Sequence, residues 1–171
     1  MSFAQFASKS PVEFRIRPAR PDDLDALDRI ESRSFTHDRF PRRNLRRLLK
    51  SPAAQFLVAE SDDRIAGYAM ILQRRGSAIS RLYSIAVDPD FRGRRIAESL
   101  LDAAAHASRQ SGATRLRLEL RPSNAAAMRL YQRAGFTIFE RRPGYYGDGE
   151  DAIRMERRLA PDIEGGRSAH S

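Results

Sequence analysis

Residues 80–101, SRLYSIAVDPDFRGRRIAESLL, constrain the fold more than any other part of the chain. The run 82–87 is almost continuously apolar and includes β-branched side chains, which predicts a strand covered on both faces. The triplet 88–90, Asp-Pro-Asp, ends this strand because proline cannot donate to a ladder and aspartate favours turns. The next residues place apolar side chains on one side of a helix: Ile96, Leu100, Leu101 and Ala104. The sequence therefore predicts a strand that turns tightly into the start of a helix.

The turn at residues 92–95, Arg-Gly-Arg-Arg, has the chemistry of an anion site. The first N–H groups of a helix have no partner within the helix, and the positive end of the helix dipole lies at the same place. Three arginines add formal positive charge that suits a polyphosphate. The common nucleotide loops G-x-x-x-x-G-K-[ST] and G-x-G-x-x-G occur nowhere in the chain. The alternative is an ordinary strand-to-helix turn with solvated arginines.

Length and composition exclude several classes of protein. A chain of 171 residues suits one domain, and the absence of cysteine excludes disulfides, a thiol nucleophile and a zinc–cysteine cluster. The three histidines show no metal-ligand spacing, so no metal is expected. No apolar run approaches the ~20 residues that span a bilayer, and the first residues do not resemble a secretory signal. We therefore expect a cytoplasmic protein that does not bind membranes.

The net charge of +9 is the most unusual feature of the composition. Nearly all of the positive charge is arginine, since Lys9 and Lys50 are the only lysines. A basic protein suits an anionic partner, which includes nucleic acid, the ribosome and a phosphate-rich coenzyme. The alternative is a bias in residue usage that is spread over the whole surface.

A second informative stretch is residues 118–131, LELRPSNAAAMRLY. Asn124 and Tyr131 are seven positions apart, about two turns at ~3.6 residues per turn, so both project from one face of a predicted helix. Ser123 or Asn124 suits the N-cap of that helix, where a side-chain oxygen accepts from a backbone N–H. Without a further role, Tyr131 would be a core aromatic with its hydroxyl at the rim.

Glu119 lies on the polar face of a strand in which leucines alternate with charged residues. Its simplest role is an ion pair with Arg117 or Arg121, worth at most about 1 kcal/mol if the pair is exposed.

Both stretches resemble motifs of the GNAT superfamily of N-acetyltransferases. The first is similar to the acyl-CoA-binding motif, a strand ending V-D-P followed by [RQ]-x-x-G-x-[GA], which corresponds to residues 92–97 with Arg95 in place of the glycine. The second, with residues 135–136, resembles the run L-E-V-R-x-S-N-x-x-A-x-x-L-Y-x-x-x-G-F of bacterial ribosomal-protein-alanine N-acetyltransferases. Residues 145–146 and 150–152 resemble the N-Y-Y…E-D-A ending of the same group. Together these segments are far more specific than the arginine-rich turn alone.

The resemblance implies an α/β fold with a mixed, mostly antiparallel central sheet of about seven strands and helices on both faces. The predicted element order, β-α-α-β-β-β-α-β-α-β-β, is that of the GNAT fold. The acetyltransferase domain would span residues 13–159. Residues 1–12 are expected to be a disordered tail, and residues 160–171 a flexible one.

The resemblance also implies a site for acetyl-CoA as co-substrate and no metal. The coenzyme-binding residues would be Ile85, Ala86, Val87, Arg92, Gly93, Arg94, Arg95, Ile96, Ala97 and Asn124. Backbone N–H groups of residues 85–87 would hydrogen-bond the acyl carbonyl and the pantetheine, and Asn124 would hold the pantetheine arm. Either Arg95 points outward, or Gly93 lets the turn shift so that Arg95 grips phosphate.

The same resemblance assigns the catalytic roles. Glu119 would be the general base for the attacking amine, directly or through water, and Tyr131 would donate a proton to the departing thiolate. Glu31, Tyr145 and Tyr146 would frame a groove for the amine, although both tyrosines suit loop packing equally well.

The acceptor is expected to be a primary amine that attacks the thioester directly, which agrees with the absence of cysteine. Removing a proton at pH 7 costs about 1 kcal/mol for a peptide α-amine and nearer 5 kcal/mol for lysine. A peptide or protein α-amine is therefore predicted first, and a lysine or small-molecule amine second. Residues 36–38, Thr-His-Asp, replace the Pro-Trp that the ribosomal group has after the equivalent of Phe35.

A different class of function is a non-catalytic basic module that binds CoA, RNA or the ribosome. In that case arginines such as Arg42, Arg43, Arg46 and Arg47 would contact phosphates. Association with the ribosome is compatible with either class, and the protein is expected to be a monomer or a homodimer.

Overall fold

A seven-stranded sheet crosses the protein in the order β1-β2-β3-β4-β5-β7-β6. The structure is a computed structural model that describes residues 13–160, so the predicted tail 1–12 and residues 161–171 of the other tail lie outside the described residues. The strands are β1 (Arg15–Pro18), β2 (Ala54–Ser61), β3 (Arg64–Gln73), β4 (Ile79–Val87), β5 (Arg115–Leu120), β6 (Thr137–Arg142) and β7 (Ala152–Arg158). The helices are α1 (Leu24–Ser34), α2 (Arg42–Leu49), α3 (Ile96–Gln110) and α4 (Ala125–Arg133), with 3₁₀ turns at Pro21–Asp23 and Pro89–Phe91. The predicted α/β class and element order are confirmed.

Helices cover both faces of the sheet, as predicted. On one face, Leu27 of α1 and Leu45 of α2 are fully buried in a cluster with Tyr68 of β3. On the other face, Leu100 of α3 and Tyr131 of α4 belong to a second buried cluster. Because successive strand residues point to opposite faces, the central strands supply side chains to both clusters.

Gly67 allows α3 to lie close to the middle of the sheet. A Cβ atom built on Gly67 would lie 2.8 Å from the carbonyl oxygen of Ala86, and within 3.3 and 3.4 Å of the side chains of Leu100 and Ile96. Any larger residue would therefore clash with the backbone of β4 and press against the side chains of α3. The glycine fixes where the first turn of α3 stands relative to the end of β4.

The strand pairs are antiparallel except for β4 and β5, which are parallel and pair only at the residue pairs Ile79–Arg115, Ser80–Leu116 and Arg81–Arg117. Beyond these pairs β4 continues alongside β3 as far as Val87, while β5 pairs with β7 to its end. The two strands therefore diverge, and the sheet opens into a wedge-shaped gap.

A β-bulge lies in β4 inside this gap. Met70 pairs with Ser84 and Ile71 pairs with Leu82, which leaves Tyr83 without a partner on β3. The extra residue bends the strand, and Tyr83 remains 42 % exposed at the edge of the gap.

Candidate active site

Three adjoining cavities line the gap between β4 and β5. The α3 cavity, of about 420 Å³, lies at the start of α3. The middle cavity, of about 310 Å³, lies between β4 and α4, and shares Val87 and Leu130 with the α3 cavity. The β5 cavity, of about 410 Å³, shares Ile85 and Ala127 with the middle cavity. Together they form one continuous cleft from the first turn of α3 to the end of β5.

The α3 cavity is built mainly from main chain. Among the described residues no side chain caps α3, whose N-cap residue Arg95 has a φ of 58°. Gly93 also has a positive φ, of 78°. A left-handed conformation costs about 1–2 kcal/mol for a residue with a Cβ, so Arg95 adopts at a cost the conformation that glycine takes freely. The uncapped end of α3 borders the cavity and supplies unpaired N–H donors.

Arginine side chains surround this end of the cleft. Arg92 and Arg95 are exposed and line the α3 cavity. The guanidinium of Arg94 lies over the ring of Phe91, 5.3 Å from its centroid. Both alternatives for Arg95, an outward position and a grip on a phosphate, stay predictions.

Asp88 anchors the turn between β4 and α3. Its carboxylate is fully buried, and Oδ1 accepts hydrogen bonds from Arg33 Nη1 at 2.8 Å and from the backbone N–H of Asp90 at 2.9 Å. Arg33 lies in the last turn of α1 and also binds the Asp90 carboxylate at 3.1 Å. This ion-pair network ties α1 to the turn and fixes the direction in which the chain enters α3.

The free edge of β4 provides main-chain groups in the middle of the cleft. The backbone N–H of Asp88 donates to the carbonyl of Ala66, on the β3 side. Because backbone groups alternate along a strand, Ala86 also turns its N–H toward β3, whereas Ile85 and Val87 turn theirs to the gap. Of the three predicted donors, two are therefore directed into the cleft, and Ala86 contributes only to its wall.

Glu119 lies in the β5 cavity with 8 % of its side chain exposed. Its Oε2 accepts from Arg81 Nε at 2.9 Å, and its Oε1 accepts from Arg154 Nε at 3.2 Å. The predicted pairing with Arg117 or Arg121 is wrong, since both arginines bind other carboxylates. Side chains two positions apart on one strand are about 6.6 Å apart, whereas directly opposed residues such as Glu119 and Arg154 are about 5 Å apart. A carboxylate has about four acceptor sites, so each oxygen retains capacity for a water or an ammonium.

Tyr131 projects from α4 into the same cavity. It is 9 % exposed, and its ring contacts that of Phe136 edge-to-face at 5.8 Å between centroids. Burial raises the pKa of Tyr131 to about 12, so the phenol stays protonated at neutral pH. Its hydroxyl makes no hydrogen bond within residues 13–160, which leaves it available to a ligand in the cleft.

Asn124 caps α4 and also lines the β5 cavity. Its Oδ1 accepts from the backbone N–H of Ala127 at 3.1 Å, which is the N-cap role predicted for Ser123 or Asn124. The pantetheine contact of Asn124 stays a prediction.

Tyr145 and Tyr146 form one wall of the β5 cavity. Their rings meet edge-to-face at 5.0 Å, and Arg81 Nη2 donates to the Tyr145 hydroxyl at 3.0 Å. The guanidinium of Arg121 lies 4.0 Å from the centroid of the Tyr146 ring. Burial raises the pKa of Tyr146 to about 12. Both tyrosines pack within their loop while lining the cavity, so the two predicted roles are compatible.

Arg121 joins the two loops that border the β5 cavity. Its guanidinium donates to Asp38 at 2.8 and 3.0 Å, and to Asp148 and Glu150 at 2.8 Å each. The hydrogen bond with Asp38 contributes most to raising the pKa of Arg121 above its ordinary value. Asp38 precedes α2, whereas Asp148 and Glu150 lie between β6 and β7. One side chain at the end of β5 therefore sets the separation of the two loops.

Glu31 lies beneath the β5 cavity rather than in its wall. It is fully buried, with Oε2 accepting from the backbone N–H of Phe40 at 2.9 Å. Its Oε1 accepts from the hydroxyl of Ser84 at 3.3 Å and from the hydroxyl of Tyr68. Burial raises the pKa of Glu31. Because Phe40 and Ser84 line the cavity, Glu31 supports its wall, and direct contact with an amine stays a prediction.

Comparison with known proteins assigns the family. The sequence model of the acetyltransferase (GNAT) family matches residues 24–136. A candidate [ribosomal protein bS18]-alanine N-acetyltransferase from Bacillus subtilis (strain 168) is 36 % identical over 141 residues, which cover 82 % of this chain and 92 % of that protein. This chain belongs to the GNAT acetyltransferase family.

Further relatives agree with this assignment. An N-alpha-acetyltransferase from Saccharolobus solfataricus is 33 % identical over 162 residues, which cover 86 % of this chain and 94 % of the relative. The crystal structure of the ribosomal-protein-S18-alanine N-acetyltransferase from Escherichia coli has a TM-score of 0.77 and 26 % identity, and the match covers 93 % of this chain and all of that one. The chain is thus an N-acetyltransferase of a family whose members use acetyl-CoA, as predicted.

Several residues of this GNAT site were missed from the sequence. Arg81, Tyr83 and Ser84 line the β5 cavity around the bulge in β4, and a bulge has no local sequence signal. Phe40 reaches the cavity from a loop, where its ring meets that of Tyr83 at 5.2 Å. Arg121 lies within the family-like stretch, but its contacts come from residues far away in sequence.

The part of the chain that the structure describes contains no helix long and apolar enough to cross a membrane. Nor do residues 13–160 contain a group of three or more His, Cys, Asp or Glu side chains that could hold a metal ion.

Proposed function

We propose that this GNAT enzyme transfers the acetyl group of acetyl-CoA to the N-terminal α-amine of a peptide or protein. The observation that carries the proposal is the order of groups along the cleft. An uncapped helix end lies at one extreme, an unpaired strand edge lies in the middle, and Glu119 and Tyr131 lie at the other extreme. In the same order, these groups are suited to bind a pyrophosphate, a pantetheine arm and a reacting thioester.

The coenzyme end fits its ligand on structural grounds. The N–H groups at the start of α3 and the exposed side chains of Arg92 and Arg95 would bind the phosphates. The N–H groups of Ile85 and Val87 would hydrogen-bond the pantetheine and the acyl carbonyl, where negative charge develops as the amine attacks. Ala86, Ala97 and Leu130 line the middle cavity with apolar surface suited to the arm.

Glu119 would accept the proton that the attacking amine must lose. Arg81 and Arg154 hold both oxygens in place, so the proton would pass through a bound water or to a remaining acceptor site. At pH 7 the deprotonation costs about 1 kcal/mol for an α-amine and nearer 5 kcal/mol for a lysine. A carboxylate already bound by two arginines is better suited to deprotonate the α-amine than the lysine.

Tyr131 would return a proton to the sulfur as the carbon–sulfur bond breaks. Its pKa of about 12 exceeds the ~8.5 of a free thiol, so transfer in water would be unfavourable. The thiolate would form in the same buried place, however, and desolvation also raises the pKa of a thiol. The pKa values of the Tyr131 phenol and the CoA thiol would therefore approach each other inside the cleft. After product release, the phenolate would take up a proton from solvent.

The relatives support the choice of acceptor, since they are named for alanine and N-alpha acetylation. The wall of the β5 cavity is compatible with an extended chain end. It combines aromatic rings with arginines that are already paired, and Glu119, whose oxygens keep acceptor sites beside Arg81 and Arg154, would bind the ammonium. Residues 36–38 border this cavity through Asp38, so their departure from the ribosomal group would alter which first residues are accepted.

A peptide panel tests the proposal. Full-length protein is incubated with acetyl-CoA and with peptides that vary the first residue, each in a free form and an N-terminally blocked form with an internal lysine. We expect mass spectrometry to place the added acetyl group on the free α-amine and to find blocked peptides unmodified. Acetylation of the internal lysines, or of small amines only, would replace the proposed acceptor. No transfer to any amine, with measurable CoA affinity, would favour the non-catalytic module.

Four further predictions go with this proposal. The enzyme would associate with the ribosome, would be a monomer or a homodimer, and would be cytoplasmic. Its acetyltransferase domain would span residues 13–159.

A further inference from the structure

One face of α2 carries a row of exposed basic side chains at positions i, i+3, i+4 and i+7: Arg43, Arg46, Arg47 and Lys50. Residues with this spacing lie on the same side of a helix. The opposite side packs into the core, where Leu45 is fully buried and Leu48 and Leu49 pack against the same cluster. The row, here called the α2 stripe, therefore faces solvent.

The stripe is uncompensated within the described residues. None of its four side chains forms an ion pair or a hydrogen bond with another side chain of residues 13–160. Its neighbours behave differently: Arg42 pairs with Asp25 and Asp28, and Arg39 also pairs with Asp28. Arg42, which the sequence grouped with the phosphate-binding arginines, is thus neutralised by α1. The positive charge of α2 that remains unpaired lies on one face of this helix.

We propose that the α2 stripe is a docking surface for the phosphate backbone of RNA. This inference goes beyond the proposed acetyl transfer and does not depend on it, because no residue of the stripe lines the cleft.

The chemistry of the stripe favours RNA over an acidic protein. Protein interfaces bury an apolar and aromatic centre, whereas the four stripe positions carry no apolar side chain between them. Phosphate contacts need only arginine and lysine, and the planar guanidinium binds phosphate oxygens in pairs. The four residues extend over about 10 Å of helix, enough for several neighbouring phosphates. The net charge of +9 would attract such a polyanion from a distance.

The position of the stripe suggests what docking would achieve. Helix α2 begins two residues after Phe40, which lines the β5 cavity. A protein chain that emerges beside bound RNA would therefore be held close to the proposed acceptor site. Docking would raise the local concentration of such an acceptor without changing the chemistry of the cleft.

Fluorescence anisotropy with the full-length protein tests the inference. The probe is a labelled single-stranded RNA 20-mer of mixed sequence, titrated at several salt concentrations. The stripe variant carries Arg43→Gln, Arg46→Gln and Arg47→Gln. A charge-matched control carries Arg74→Gln, Arg75→Gln and Arg158→Gln, three exposed arginines that form no ion pair among the described residues. We expect the stripe variant to bind at least tenfold more weakly at 100 mM salt, with a log–log salt slope smaller by about 2, since each lost contact to a single strand removes ~0.7.

The control variant should stay within about threefold of the wild type. An Arg→Lys version of the three stripe substitutions, which keeps the charge, should retain most of the salt slope. Equal losses in the stripe and control variants would overturn the inference, as would a wild type that does not bind RNA. Tighter binding of polyglutamate than of RNA would overturn it in favour of an acidic protein. Both glutamine variants should acetylate a short free peptide at the wild-type rate, so failure of the proposed acetyl transfer would show in the wild type independently of RNA.

Discussion

The two ends of the cleft are built from different parts of the polypeptide. The α3 cavity depends on backbone: a left-handed turn, the uncapped start of α3 and the free edge of β4. The β5 cavity depends on side chains that meet from distant parts of the sequence, such as Glu119, Tyr131 and Arg121. A backbone site tolerates changes of side chain, as Arg95 shows at a position suited to glycine. A side-chain site does not, because each group is held by a specific partner.

The comparison predicts that single substitutions cost most at the β5 end and least at the α3 end. Tyr131→Phe should show the largest effect, a fall in kcat of about 10²–10³-fold with the KM for acetyl-CoA within twofold, because it removes the proposed proton donor and no described hydrogen bond. Initial rates of thiol release measure this. With the pKa of Tyr131 near 12, the wild-type rate should not decline below pH 10 through loss of this proton.

Tyr146→Phe is the matched control, since it removes the same atom from the same cavity wall. We expect less than a fivefold change in kcat. Similar losses in both variants would show that the wall as a whole, rather than one hydroxyl, supports turnover.

Glu119→Gln should lower kcat/KM by tens of fold. The amide keeps one acceptor oxygen but turns an NH₂ group toward an arginine, so the variant loses both the proposed base and one charge-assisted hydrogen bond. The comparison variant is Glu156→Gln on the same polar face of the sheet, where Glu156 binds Arg115 and Arg117 away from the cleft. The Tm should fall by a similar amount in both variants, while only Glu119→Gln should lose activity. A loss of activity in both variants would show that Glu119 acts only by stabilising the sheet.

Glu31→Gln should change how stability depends on pH. Burial raises the pKa of Glu31 above its ordinary value of 4.5, so the native state keeps this proton to higher pH than the unfolded chain. The free energy of unfolding of the wild type should therefore fall, relative to the variant, as pH rises from 4.5 through the raised pKa. The difference changes by at most about 1.4 kcal/mol per pH unit. Urea unfolding of both proteins between pH 4.5 and 7 measures it, and parallel curves would contradict the assigned burial.

Arg95→Gly should have the smallest effect and the opposite sign on stability. Relief of the left-handed conformation should raise the free energy of unfolding by about 1 kcal/mol and Tm by about 2–4 °C. If main-chain groups dominate phosphate binding, the Kd for CoA should change less than threefold by calorimetry. Arg92→Gly is the control, because it removes the same charge at a φ of −66° and should lower Tm. A tenfold loss of CoA affinity specific to Arg95→Gly would show that its guanidinium grips phosphate.

Local patterns predicted much of the fold. Leu116, Leu118 and Leu120 are buried on alternate positions of β5, as their spacing indicates. The N-cap of α4 was predicted to within one residue. Such features depend on neighbours in the sequence, where the periods of helix and strand apply directly.

Contacts between distant segments were not predictable in the same way. The ion-pair partners of Glu119 follow from the registers of β5 with β7 and β4, and the wrong partners were expected because only the neighbours along its own strand could be considered. The burial of Glu31 follows from Phe40, Tyr68 and Ser84 meeting around it.

By itself, the sequence determined the family, the order of elements, the strand-to-helix turn and the identities of Glu119 and Tyr131 as candidate catalytic groups. The tertiary structure alone decided where the sheet opens, which β4 donors face the gap and what holds each charged group. The physical reason is that periodicity and capping are local, whereas strand divergence, the β4 bulge and ion-pair geometry arise only when segments distant in sequence pack together.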